Sequence, residues 1–198
     1  FQSPYSERDG LAANFNPATA QMETDSGGLY RADRNNFAPR VGIAWQAPGG
    51  IVVRAGYGIY YDMLVVGDSL FLLGLNPPFV HFIVENNGPV VPGFKLSTAF
   101  SDTSETSIPP SVFSTSPSLP NPYLQRWTLS LSRSIGRNLV IDASYSGEKG
   151  THLRRQLNLN QPLPGPLDTL DERRPFAGFR NIFQFETSAS SIGHALEA

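Results

Sequence analysis

The stretch Ile51-Val52-Val53-Arg54-Ala55-Gly56-Tyr57-Gly58-Ile59-Tyr60-Tyr61 decides the fold. Ile51, Val53, Ala55, Tyr57, Ile59 and Tyr61 fall on alternate positions, with Val52, Arg54, Gly56, Gly58 and Tyr60 between them. A strand has a side-chain period of two, so this alternation gives one apolar face and one small or polar face. Upstream, Arg40 to Gln46 alternates as well, and Ala47-Pro48-Gly49-Gly50 between the two reads as a tight turn, giving a hairpin over 40–62. A second hairpin is read over 127–146. Its odd positions Trp127, Leu129 and Leu131 oppose Thr128, Ser130, Ser132 and Ser134, and Ile135-Gly136-Arg137 turns the chain.

The connection between the hairpins, 63–122, is about sixty residues long. It holds a short apolar piece from Met63 to Leu75, expected as a helix or plate, then Asn76-Pro77-Pro78 and a Ser/Thr/Pro-rich tract. Glu7 to Asn36 is rich in turn formers and is expected to carry little regular structure. Gly147-Glu148-Lys149-Gly150 reads as a turn. A loop with a strand piece at Leu153 to Leu159 is expected over 148–181, and a last strand over 182–191. Tight turns at one end and long loops at the other are the asymmetry of a transmembrane β-barrel. About five or six strands are too few to close one, since the smallest have eight. The fold class expected is therefore all-β: an antiparallel transmembrane β-barrel segment with long extracellular loops.

Composition bounds the alternatives. Of 198 residues, 16% are charged, and Gly (18) and Pro (17) each outnumber the 15 Lys and Arg together, a turn-rich balance that suits an all-β chain. A net charge of −2 and a pI near 5.9 argue against nucleic acid as a partner, because such binders carry a basic patch. There are no cysteines, which excludes disulfides and thiolate metal sites. No apolar run reaches the roughly 18 residues of a membrane helix, but barrel strands need only about 9–11. A chain beginning at Phe1 is expected to be a fragment or a processed product.

Groups for catalysis are sparse. His81, His152 and His194 are far apart and none sits in a metal-binding spacing, so no catalytic residue, metal or cofactor is expected. Asp168, Asp171 and Glu172 beside Arg173-Arg174 offer oxygens to a hard cation such as calcium. The same run is what a solvated loop looks like. His152, Arg154, Arg155, Arg173 and Arg174 are candidates to contact an anionic solute at the outer mouth, against the plainer reading of ordinary loop charge.

The order of these pieces resembles the Oar-like TonB-dependent outer-membrane receptors, abundant in acidobacteria. The resemblance rests on an ordered set. Asn35-Asn36-Phe37-Ala38-Pro39-Arg40-Val41-Gly42 leads into Arg54 to Asp62, and Leu119-Pro120-Asn121-Pro122-Tyr123-Leu124-Gln125-Arg126-Trp127 follows. Gly136-Arg137-Asn138, Ser144 to Leu153, Asn158 to Pro162 and Arg173 to Phe179 complete it. It implies an interior piece of a barrel of about twenty-two strands around a plug, in the bacterial outer membrane. The solute implied is a siderophore, cobalamin, glycan or peptide, imported with energy from the TonB complex. The implied partners are outer-membrane lipid, the rest of the barrel with its plug, and TonB through an N-terminal part. The N-terminal carboxypeptidase-regulatory-like domain, plug and closing strand are not in this sequence.

On that topology Arg54, Gly56 and Gly58 are expected to face the lumen. Tyr57, Tyr60, Tyr61 and Tyr123 are candidates for an aromatic girdle at the headgroup level. The competing architecture is a secreted β-sandwich that binds polysaccharide or peptide on its loops. The discriminator is where the apolar faces lie: buried between two sheets, or turned outward.

Overall fold

The computed structural model describes residues 8–24, 28–62, 71–80 and 109–198. The strands are β1 (Ala13–Asn16), β2 (Gln21–Thr24), β3 (Arg40–Ala47), β4 (Ile51–Tyr61), β5 (Val112–Thr115), β6 (Tyr123–Ile135), β7 (Leu139–Asn158) and β8 (Ile182–Glu197). Six form one sheet in the order β3-β4-β6-β7-β8-β5, antiparallel except that β5 runs parallel to β8. β1 and β2 form a separate hairpin.

The period-two pattern is realised without interruption from β3 across to β7. Ile43 faces Ala55, Ala55 faces Leu129, Leu129 faces Tyr145 and Tyr145 faces Leu196. Directly opposed residues share a face. One face of the sheet therefore carries Val41, Ile43, Trp45, Val53, Leu129, Leu131, Ile141, Ile192 and Leu196. Each of these but Val53, which is half-buried, is exposed. The other carries Arg54, Gly56, Thr128, Ser130, Ser132, Ser144 and Ser146. Among the described residues no second sheet covers the apolar face, which is the opposite of a sandwich. Ile51 lies beside Arg133, so the short turns after β3 and β6 sit at the same end.

The buried core is not under the sheet but beyond its long-loop end. Phe15, Val112 and Ile182 are buried together, with Met22, Leu159, Phe176 and Phe179 against them. Phe15 meets the rings of Phe176 and Phe179 edge-on, each at 5.1 Å. A second cluster joins Ala12, Leu29, Tyr30 and Leu73.

Several expected boundaries change. β7 runs for 20 residues straight through Gly147-Glu148-Lys149-Gly150, where a turn was expected. At about 3.3 Å per residue it is on the order of 65 Å long, far beyond the 9–11 residues of a spanning strand. The glycines make room rather than turns: a Cβ on Gly147 would come within 2.4 Å of the Trp127 indole, which lies across it from the facing position. β6 begins at Tyr123, four residues before the expected start, and β8 continues to Glu197 rather than Ser191. The expected irregular segment from Glu7 to Asn36 contains the β1–β2 hairpin, and the long connection contributes β5. Of the expected apolar helix or plate, 63–70 lies outside the described residues; 71–73 form a helical turn that buries Leu73.

Candidate functional site

Three asparagines build the cap over the long-loop end. Asn76 is buried and donates through Nδ2 to the carbonyls of Ala13 (2.6 Å) and Phe113 (2.8 Å), while its Oδ1 accepts from Phe113 N (2.8 Å). Asn14 does the same for Thr115, donating to its carbonyl at 3.2 Å and accepting from its N–H at 2.8 Å. These amides replace the missing ladder between β1 and β5. Asn160, fully buried, donates to the carbonyls of Phe176 (2.9 Å) and Phe179 (2.8 Å) and accepts from Phe176 N (2.7 Å). A buried amide left unpaired would cost roughly 1–3 kcal/mol, so each satisfied set fixes its loop firmly. Nothing in the sequence signalled these roles: Asn76 before Pro77 reads only as a turn, and Asn14 and Asn160 sit in no telling local pattern.

The arginines expected at the mouth divide. Arg173 donates to the carbonyls of Leu163 and Pro166 and, at 3.2 Å, to that of Thr169, so it gathers its own loop. The Arg174 side chain is only 7% exposed; it pairs with Asp171 at 2.7 Å and donates to the carbonyls of Asn160 and Arg180. Both are therefore withdrawn from the role of free anion contacts, because backbone carbonyls occupy their donors. Asp171 is engaged by Arg174, and among the described residues no group of three His, Asp or Glu could hold a metal.

Arg155 is bound to Glu186 at 2.8 Å. Glu186 sits beyond the rows of the apolar face. The Ser188 hydroxyl lowers its carboxyl below the ordinary range, desolvation opposes this, and Arg155 lowers it further. Arg154 is exposed, and among the described residues it has no hydrogen-bond or ionic partner. His152 takes a positive φ of 55° where β7 slips register against β8 between Gly150 and Leu153. That backbone is uncommon for a side chain other than Gly or Asn, and here it accompanies a bulge. The bulge sets the His152 ring edge-on against Tyr123 at 5.7 Å. Tyr123 in turn lies 5.4 Å from Tyr61. His81 falls outside the described residues.

Arg54, Gly56 and Gly58 lie on the small, polar face, and the ladder passes through both glycines without a bulge. The space that Gly58 leaves is filled by the Tyr60 ring, 2.9 Å from where a Cβ would stand, and the Arg40 guanidinium lies over that ring at 4.6 Å. Tyr60 is thereby separated from Tyr57, Tyr61 and Tyr123, which lie on the apolar face; the pleat excludes it from their row. Tyr57 donates to Gln125 Oε1 at 3.1 Å. Trp127, Tyr145 and His194 also stand on this face and were not expected there as a group.

A family model described as "Outer membrane beta barrel domain" matches residues 1–198. No curated protein and no solved structure matches the chain. An apolar face open to the surroundings, backed by a polar one, is the arrangement of a wall between lipid and lumen. Short turns at one end, a capped long-loop end and a family match over the whole chain agree: this chain belongs to the outer membrane β-barrel family and resides in the bacterial outer membrane.

Proposed function

We propose that the chain forms part of the wall of a TonB-dependent, Oar-like receptor that imports a scarce solute, with the cap as its outward, ligand-contacting element. Short turns then face the periplasm and the cap faces outside. The role is binding and passage without catalysis, and the energy comes from the inner-membrane complex. The ordered resemblance along the sequence supports the family reading. The observation that carries the binding role is the cap itself. β7 and β8 continue beyond the apolar rows, and Asn76, Asn14 and Asn160 fix loops upon them. A loop needed only to connect two strands does not require such fixing. Exposed on this platform are Arg154 and, half-buried, His152. Small side chains on the polar face, such as Ser130, Ser132 and Ser144, leave the lumen side open for a plug.

The test is uptake by whole cells of a radiolabelled ferric siderophore, cobalamin, maltooligosaccharide and oligopeptide, with the gene deleted or with TonB deleted. The reading predicts that one of these classes loses uptake equally in both strains. A solute that needs this gene but enters normally without TonB would contradict it.

A further inference from the structure

The apolar face carries a built polar site at the level where its hydrophobic rows end. Across the aligned rows of β3, β4, β6, β7 and β8, the formally charged residues on this face are Arg133 and Lys149, one near each end. Both are cationic. The carboxylates of Asp142, Glu148 and Glu197 lie on the other face. The charge turned toward lipid is therefore of one sign.

Lys149 does not stand alone. The Trp127 indole lies over Gly147, and its N–H donates to the Tyr145 hydroxyl at 3.5 Å. That hydroxyl is 2.8 Å from His194 Nδ1, and the phenol and imidazole rings stack at 11°. The contact with Tyr145 uses Nδ1 and leaves Nε2, at the far end of this chain of polar contacts, for an outside partner. His194 faces Gly147 and Ile192 faces Lys149, which places Lys149 and His194 diagonally across the strand pair. Diagonal neighbours stand about 7–8 Å apart, a span that one phosphate can bridge between a long ammonium and an imidazole. Gln125, directly opposite Lys149, adds a polar amide. Tyr57 and Trp127 flank the site, as aromatic rings do where hydrocarbon gives way to headgroups.

We propose that His194, Lys149 and Gln125 form a site for the headgroup phosphate of an anionic membrane lipid, at the rim nearer the cap. Charge complementarity and the position on the lipid-facing surface select a lipid rather than a soluble anion. The site depends on membership in the outer-membrane family, not on the transport reading.

The chain lacks cysteine, so Ile192→Cys labelled with bimane gives a reporter beside Lys149. The protein purified from outer membranes is reconstituted in phosphatidylcholine bilayers containing brominated phosphatidylglycerol or brominated phosphatidylcholine. One basic residue at an anionic surface implies about a fivefold preference, so brominated phosphatidylglycerol quenches at about one-fifth the mole fraction. Lys149→Gln and His194→Gln each reduce the preference, and together they bring it near parity, with the barrel's heat-modifiable mobility unchanged. Equal quenching in the unsubstituted protein overturns the proposal, and so does a preference that survives both substitutions. Loss of the preference when inorganic phosphate replaces chloride at equal ionic strength overturns the lipid assignment in favour of a free anion.

Discussion

Trp127 on β6 and Gly147 on β7 face each other, and the indole occupies the place where any larger residue at 147 would put its side chain. The glycine thus keeps β7 straight while letting an aromatic ring cross it. Gly147→Ala is expected to destabilise the barrel by about 1–3 kcal/mol, the usual cost of overpacking. The measurement is the temperature at which heat-modifiable mobility is lost. Trp127→Ala in the same chain should relieve most of that loss, since the two residues are coupled.

Leu131 and Ser130 are neighbours on β6 that point to opposite faces. Arginine at a lipid-facing position near the bilayer middle costs about 2–4 kcal/mol, and at a lumen position far less. Leu131→Arg should therefore lower the unfolding midpoint in urea strongly, and Ser130→Arg only slightly. Similar losses for both would mean that the faces are not distinguished by lipid.

Asn160 holds the loop that follows β7 through three carbonyls and one N–H. Asn160→Ala leaves the Phe176 and Phe179 carbonyls and the Phe176 N–H without this partner, at about 1–3 kcal/mol, while the spanning rows stay intact. Limited proteolysis should cut between 161 and 181 much faster than in the parent protein, with the boiled and unboiled mobilities unchanged.

Glu186 has a folded pKa below its unfolded value. A carboxyl shifted this way contributes stability above its unfolded pKa and loses it as pH falls through the folded one. Hydrogen-exchange protection, taken relative to the intrinsic rate at each pH, should be high at neutral pH at the junction of Arg155 with Glu186 and fall in that acidic window. Glu186→Gln should remove the pH dependence. Low protection at both pH values would show that the pair does not hold the junction.

What the sequence made legible follows from range. The hairpins expected over 40–62 and 127–146 could be read, to within a few residues of their ends, because alternation is local: each strand shows its two faces without knowing its neighbour. Gly147 to Gly150 was misread because two glycines around Glu and Lys are turn chemistry. Only the facing Trp127, twenty residues away, explains Gly147, and the Ser191 and Leu153 side chains close over Gly150. Arg173 and Arg174 looked like free charges because the carbonyls of Leu163, Pro166, Asn160 and Arg180 that bind them are invisible in side-chain identity. The cap was hidden for the same reason. Asn76 joins Ala13 to Phe113 over separations of 63 and 37 residues, and no local pattern encodes such a bridge.

The orientation of the sheet is the claim on which the rest stands, and it is tested by site-directed spin labelling in reconstituted bilayers. Single labels go at Val53, Arg54, Leu129, Ser130, Leu131 and Ser132, and collisions with oxygen and with a water-soluble nickel chelate are measured. The account predicts high oxygen and low chelate accessibility at Val53, Leu129 and Leu131, with the reverse at Arg54, Ser130 and Ser132. The same alternation with the opposite sign, or none at all, would contradict it.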